Sequence, residues 1–383
     1  MRDFMKVFLK IVGGFFLYLF ATLAVLFVGL YGGLKIAVDG PSDHFRQIFI
    51  TSLMESSAGP IAARMVLTDD QINEILANNT TIEFDQITDP ALVSVMREEA
   101  EAAAAAAVQA GIEAETNLDP DGDGIEIHEI SGPMYHGMMM IVYDPSRVIC
   151  ATIDNYTHSG AGMTLQQLIE KYGAVAGING GQYEDESGLG IGGWPVGVVM
   201  SQGVLRADHV DEYYEAGTDE NGDPIYQTRT SLPTVGFTQD DILVVGTFGG
   251  GYAESIGLRD AVSFGPALIV NGVAANYSGV GGGLNPRTAI GQRADGAVLM
   301  LCIEGRRSTS MGATMADLID IMVEYGAVNA FNLDGGMSSS MVYNGEEIVD
   351  NANIRGDRAI PTAWVVLPLD ASSSSAEVAN EEA

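Results

Sequence analysis

From Ile11 to Leu34 the chain reads "IVGGFFLYLFATLAVLFVGLYGGL", 24 residues without a charge. At about 1.5 Å per residue, a helix of this length crosses a bilayer core of about 30 Å. The apolar core of a cleavable signal is shorter, about 7–15 residues, so the pattern predicts an uncleaved signal anchor. Arg2, Lys6 and Lys10 precede the run and Lys35 alone follows closely. That bias leaves residues 1–10 in the cytoplasm and the rest of the chain outside, at the cell membrane.

After the anchor, residues 35–117 read as an extracellular helical stalk. "SDHFRQIFITSLMESS" and "TDDQINEILANN" are short helices, the second with Thr68 or Asp69 as its N-cap. "DPALVSVMREEAEAAAAAAVQAGIEAE" is alanine-rich and acidic, the composition of a solvated helical spacer. In "NLDPDGDGIEIHEI" Asp119, Asp121, Asp123 and Gly124 match the start of a calcium loop. Glu126 and Ile130 then fall where an apolar residue and a glutamate belong, which favours a turn leading into a strand.

Residues 118–370 change to short apolar runs separated by turn residues, and 371–383 form a disordered acidic tail. "MMMIVYDPSRVICATI" predicts two strands around Asp144-Pro145-Ser146. Asp240-Asp241, Asn271-Gly272 and Asp295-Gly296 break further runs into hairpins. Residues 216–227 form a polar loop or hairpin tip.

Two stretches carry helical periodicity instead. "MTLQQLIEKYGAVAGINGG" (163–181) and "ATMADLIDIMVEYGAVNAFNLDGG" (313–336) each open on a capping box, Thr164 with Gln167 and Thr314 with Asp317. Each helix ends in Tyr-Gly, with Gly173 and Gly326 suited to a left-handed C-cap. Each then passes through Ala-Val into a short buried strand that stops at Asn179-Gly180-Gly181 or Asp334-Gly335-Gly336. The expected fold class is α+β, mixed twisted β-sheets with packed helices. If the two strands are parallel neighbours, both glycine turns face one crevice beyond their carboxyl ends. Glycines there allow close approach to the backbone, and Ser338, Ser339 and Ser340 add hydroxyls.

The formal charge of −33, from 51 acids against 18 bases, disfavours nucleic acid and anionic lipid as partners. Against it, Arg287, Arg293, Arg306, Arg307, Arg355 and Arg358 fall within 72 residues. Guanidinium groups grip phosphate with paired hydrogen bonds, so the cluster suits an anionic ligand, although ion pairing accounts for Arg293 and Arg307. Cys150 and Cys302 lie in strand-like runs as buried thiols, with a disulfide between them left open. "GLGIGG" (188–193) precedes a strand pattern rather than a helix, which excludes a dinucleotide fingerprint. There is no phosphate-binding G-K-[ST] motif, and the serine run lacks the nucleophile-elbow pattern.

"INGGQYED", "NPRTAIGQRADG", "NLDGGMSSSMVYNG" and "GDRAIPTAWVV", in this order over roughly 124–368, resemble the phosphodiester glycosidase family, which includes an N-acetylglucosamine-1-phosphodiester glycosidase and bacterial exopolysaccharide-associated members. Met337 and Gln182-Tyr183 depart from that family's usual residues. The resemblance implies an extracellular hydrolase that cleaves a sugar-1-phosphodiester in a cell-surface glycan or polymer. Asp334 becomes the nucleophile or base, Glu304 or Asp185 a second carboxylate, and Arg287 and Arg358 the stabilisers of the departing phosphate. Asn179, Gly180, Gly181, Asp185, Thr288, Asn332, Gly335, Gly336, Ser338 and Ser339 become substrate-binding positions. No cofactor or metal ligand set is required by the sequence, although a divalent cation such as calcium is compatible with it. A non-catalytic exopolysaccharide-binding or assembly protein, or a glycosyl-phosphate transferase, would use the same cleft.

Overall fold

The computed structural model describes residues 2–56, 59–82, 84–109, 119, 122–185, 191–209, 213–218, 224–228, 230–349 and 356–369. The tail 371–383, Arg355, the end of the alanine-rich run, most of "GLGIG" and the tip of the 216–227 hairpin lie outside them. The chain divides into two compact units, 1–80 with 278–283, and 81–277 with 284–383.

The first unit is helical: α1 (Arg2–Asp39), α2 (Asp43–Met54), α3 (Gly59–Arg64) and α4 (Asp69–Ala77). Lys10–Asp39 has a mean hydropathy of 2.5 and is long and apolar enough to cross a membrane. Ser42 caps α2, and Thr68 with Gln71 forms the capping box of α4. Ile50, Ala63 and Ile72 are its buried apolar anchors.

In the second unit, one sheet runs in the order β1 (Ile125–Ser131), β2 (His136–Val142), β15 (Val298–Ile303), β14 (Arg287–Arg293), β16 (Ala327–Leu333), β12 (Ala267–Val270) and β13 (Val273–Ala274). A second runs β10 (Leu243–Phe248), β9 (Leu232–Thr238), β11 (Leu258–Ser263), β5 (Gly197–Ser201) and β6 (Val204–His209). The third runs β18 (Glu346–Glu347), β17 (Met341–Tyr343), β4 (Ala176–Asn179), β19 (Thr362–Val366) and β3 (Val148–Thr152). β7 (Tyr213–Thr218) and β8 (Pro224–Thr228) pair apart from these. Every pairing among the described strands is antiparallel.

The period-two alternation of the strands sorts side chains between an inner and an outer face. On β15, Val298, Met300 and Cys302 enter a core shared by all three sheets, with Phe237, Ile178 and Trp364. Leu299, Leu301 and Ile303 point outward, to Leu318, Ile319 and Met322 of α8 (Met315–Glu324). α6 (Leu165–Tyr172) covers the third sheet through Leu165, Leu168 and Ile169. α7 (Gly250–Ser255) packs on the second through Ala253. Each large aliphatic side chain so buried contributes about 1.5–3 kcal/mol. The expected α+β class holds. Cys150 and Cys302 are buried free thiols in the central core, and burial pushes the Cys302 thiol up to about 12.

Both recurring helix–strand units form, with the two capping boxes in place and Gly173 at φ 63°. Their strands are not neighbours in one sheet, however. β4 belongs to the third sheet and β16 to the first, because β4 pairs with β17 and β19 while β16 pairs with β14 and β12.

Part of the expected stalk also belongs to the second unit. The Thr88 hydroxyl is buried, donates to Asn329 Oδ1 at 3.0 Å and accepts from the Val245 N–H at 3.0 Å. Val93, on α5 (Pro90–Gln109), is 1% exposed, and Arg97 donates to the Asp241 carbonyl. Val93 is buried although Leu92 and Val95 stay exposed, so that helix is not solvated all round. Thr88→Val strips a donor and an acceptor from the buried Asn329–Val245 site. It is expected to lower unfolding stability by about 1–3 kcal/mol, read as a lower denaturant midpoint at an unchanged slope.

Candidate active site

β16 ends at Leu333, and Asp334 opens the turn after it. Two hydrogen bonds tie that turn to the end of β4 in the other sheet. The Asp334 N–H donates to the Gly180 carbonyl at 3.2 Å, and Asn179 Nδ2 donates to the Asp334 carbonyl at 2.6 Å. The two glycine turns therefore do converge, across a sheet-to-sheet junction rather than along one sheet edge.

The glycines serve that junction. A Cβ on Gly180 would lie 2.6 Å from the Thr362 carbonyl oxygen, and one on Gly181 2.6 Å from that of Ser263. One on Gly335 would lie 2.8 Å from the Pro286 carbonyl oxygen. These three glycines admit the close approach of protein backbone. Asn179 and Thr288 likewise spend their polar atoms internally. Both are fully buried, the Thr288 hydroxyl donates to Asn179 Oδ1 at 2.8 Å, and the Ser340 N–H donates to the same oxygen. They position the turn. Asn332 is 1% exposed and donates to the Gly265 carbonyl; its Oδ1 and the buried Ser339 Oγ have no partner among the described residues.

Polar side chains lead outward from Asp334. The Ser338 side chain stands beside the Asp334 carboxylate, and the Tyr183 hydroxyl lies 3.2 Å from Ser338 Oγ. Arg358 donates to the Tyr183 oxygen at 2.6 Å and pairs with Asp185 Oδ2 at 2.6 Å, with its guanidinium over the Tyr183 ring. A guanidinium carries only donors, so the Tyr183 oxygen accepts from Arg358.

Desolvation raises the Asp334 carboxyl to about 6 against the pull of the Ser338 hydroxyl, the Gly335 N–H and the Arg358 charge; Asp185 pushes it higher. Desolvation, with the Asp334 charge, lifts Tyr183 to about 12, which keeps it a donor at neutral pH. Arg358 is drawn down by burial, but Tyr183 and Asp185 outweigh that and hold it above its ordinary value. A half-buried carboxyl titrating near neutrality beside a guanidinium is the pattern of a working acid–base group.

Beside these side chains opens a cavity of about 330 Å³, lined by Ser338, Ser340, Met337, Gln166, Glu347 and Arg358 among others. That volume suits a small ligand such as a sugar ring. Asp185 and Arg358 thus stand with Asp334. Glu304 follows β15, whose end is separated from that of β16 by β14, roughly 10 Å at two strand spacings. Arg287, at the head of β14, donates from Nε to the Ala313 carbonyl at 3.2 Å. Among the described residues no group of three or more His, Cys, Asp or Glu side chains is placed to hold a metal ion. Asp119 accepts N–H bonds from Gly122, Asp123 and Gly124, so its carboxylate closes a turn.

Sequence reasoning did not select Tyr183, although it stands two residues after Gly181 in "INGGQYED". β4 ends at Asn179, so Tyr183 lies four residues beyond it, where strand alternation no longer sets a direction.

Residues 172–367 match the family model described as phosphodiester glycosidase. The SPbeta prophage-derived protein YomE of Bacillus subtilis (strain 168) is 37% identical over 91 residues, 24% of this chain; the match spans only 14% of that relative's length. The zebrafish N-acetylglucosamine-1-phosphodiester alpha-N-acetylglucosaminidase catalytic domain, auto-inhibited by its pro-peptide, superposes with a TM-score of 0.46 at 18% identity, over 63% of this chain and 82% of that one. A hypothetical protein from Synechocystis gives 0.42 at 17% identity, over 63% and 62%. The family match takes in the Asn179 turn, β14, the Asp334 turn and Arg358, and with it the chain belongs to the phosphodiester glycosidase family.

Proposed function

We propose that this chain is a membrane-anchored hydrolase that cleaves a glycosyl phosphodiester in a glycan outside the cell. The observation that carries the reading is the placement of Asp334, a carboxyl raised to about 6, at the head of the turn whose Ser338 lines an open cavity together with Arg358. Family membership supports the reaction class. The apolar helix of the first unit, with its basic residues weighted to the N-terminal side, supports the anchor and its direction.

In this reading the sugar's anomeric carbon lies at Asp334 and its phosphate toward Arg358. The bond from that carbon to the phosphate oxygen breaks, and the electron pair leaves with the phosphate monoester. Either water supplies the new C–O bond while Asp334 takes its proton, or Asp334 forms that bond and water later displaces it. Both routes consume one water and release a free sugar and a phosphate monoester. Both need Asp334 ionised. A phosphate is a good leaving group, so charge stabilisation by arginine replaces the strong general acid of ordinary glycosidases.

The full-length protein in detergent should hydrolyse members of a panel of sugar-1-phosphodiesters, with kcat/KM rising as pH passes through about 6. Asp334→Asn should cost at least about a hundredfold, within the usual range for losing an acid–base group. Equal turnover by wild type and variant, or none across the panel, contradicts the reading.

The same carboxyl has a stability signature. Its folded pKa lies above its unfolded value, so the stability it confers is fully present below about pH 4 and is lost as pH rises through about 6. Asp334→Asn should therefore melt higher than wild type at pH 8 but not at pH 4. The gain reaches at most roughly 3 kcal/mol, to be read by thermal unfolding at the two pH values.

A further inference from the structure

Among the described residues, five non-glycine residues hold a positive φ: Gln202, Asp241, Asn271, Arg306 and Asn344. Gln202, Asn271 and Asn344 each precede a glycine in a tight strand-to-strand turn, and Asp241 sits in the turn between β9 and β10. Those positions need the left-handed conformation for the reversal itself. Arg306 is not followed by a glycine, and its own reversal is closed by its N–H to the Met311 carbonyl at 3.3 Å and by the Arg307 N–H to the Ser310 carbonyl at 2.9 Å. It lies in the loop that follows β15, at φ 59°, where a glycine would be accommodated without cost and a long side chain is disfavoured. Backbone strain retained beside a candidate active site points to the side chain as the reason for it.

The position of that side chain is specific. Gly305 packs on one side of Pro286, where a Cβ would lie 2.6 Å from the Pro286 nitrogen. Gly335 and Gly336 pack on the carbonyl of the same residue, and the Gly336 N–H donates to it at 2.9 Å. Pro286 thus holds the Arg306 loop against the Asp334 turn. The exposed Arg306 reaches across it: its Nη2 donates to Asn285 Oδ1 at 3.3 Å and lies 3.5 Å from where a Cβ on Gly336 would be. Gly336 itself has φ 64°, so a side chain there is disfavoured twice, by its backbone and by the guanidinium.

Gly336 and Ser338 bound one short 3₁₀ turn. Arg306 stands at its first residue. Arg358 reaches its last through Tyr183. Two guanidinium groups therefore flank the turn that follows Asp334, in a protein of charge −33. We infer that Arg306 is a phosphate-binding residue that grips the phosphate of the substrate from the side opposite Arg358. The left-handed backbone is what aims the guanidinium over Gly336 rather than out into solvent. This assignment deepens the hydrolase reading and rests on it for its role in turnover, though not for the binding of phosphate.

The test is isothermal titration of full-length protein in detergent with inorganic phosphate, comparing wild type, R306K, R306Q, R306G and D334N. Wild type and D334N should bind, R306K should bind more weakly, and R306Q and R306G should lose at least tenfold in affinity. R306G should melt no lower than wild type, because glycine suits φ 59°. Equal affinity across all five proteins, no binding by wild type, or loss of binding in R306G accompanied by a large drop in melting temperature each overturns the inference. If wild type turns over no sugar phosphodiester while R306Q still loses phosphate affinity, the hydrolase reading fails and this one stands.

Discussion

One pair of hydrogen bonds sets the rest of the site. The backbone of Asp334 is held at both polar atoms, its N–H by the Gly180 carbonyl and its carbonyl by Asn179 Nδ2. The donor and acceptor come from the end of a strand in a different sheet. A carboxylate at the end of β16 would otherwise ride on a turn of glycines and serines with little to fix it. Buried main-chain groups that find partners cost little, whereas unpaired ones cost a few kcal/mol, so the junction is strongly specified once the sheets pack. Asn179 extends that specification, because Thr288 and the Ser340 N–H occupy its oxygen.

Precision at the junction is bought with side-chain volume. Gly180, Gly181 and Gly335 each lie where a methyl group would strike the carbonyl oxygen of a distant residue, Thr362, Ser263 or Pro286. The same packing desolvates Asp334 and raises it to about 6. The fold thus carries a carboxylate that is unfavourable to ionise, and Ser338, the Gly335 N–H and Arg358 return only part of that cost. A group poised in this way is a poor contributor to stability at neutral pH and a good candidate for proton transfer.

Much of the fold was legible because its signals are local. Capping boxes at Thr164 and Thr314, the left-handed Gly173, and the Asn271-Gly272 and Asp295-Gly296 hairpins depend on a few adjacent residues, and the structure carries all of them. Sheet membership depends on distant pairings, which is why the β4 and β16 units looked like neighbours and are not. Thr88 and Val93 were assigned to a stalk because an alanine-rich acidic helix follows them, and only the partners Asn329 and Val245 reveal that they belong to the second unit. In the candidate site, Asp334, Asp185, Arg358 and Ser338 were visible as polar residues at strand ends. Asn179, Thr288 and the paired glycines were visible too, but their role was not, since a buried amide and a ligand-facing amide look alike in sequence. Sequence alone could not place β14 between the strands that end before Glu304 and Asp334. Tyr183 and Arg306 act through the directions of a ring and of a strained backbone, which no spacing encodes.

In the proposed reading the Asn179–Gly180 end and the Asp334 turn together present one carboxylate to a sugar-1-phosphate. A crystal structure of the full chain with a non-hydrolysable glycosyl phosphonate tests it most directly. The account predicts the anomeric carbon within contact of the Asp334 carboxylate, the phosphonate between Arg306 and Arg358, and the Asp334 N–H still bonded to Gly180. A ligand bound elsewhere on the chain, or a structure in which Gly180 and Asp334 stand apart, contradicts it.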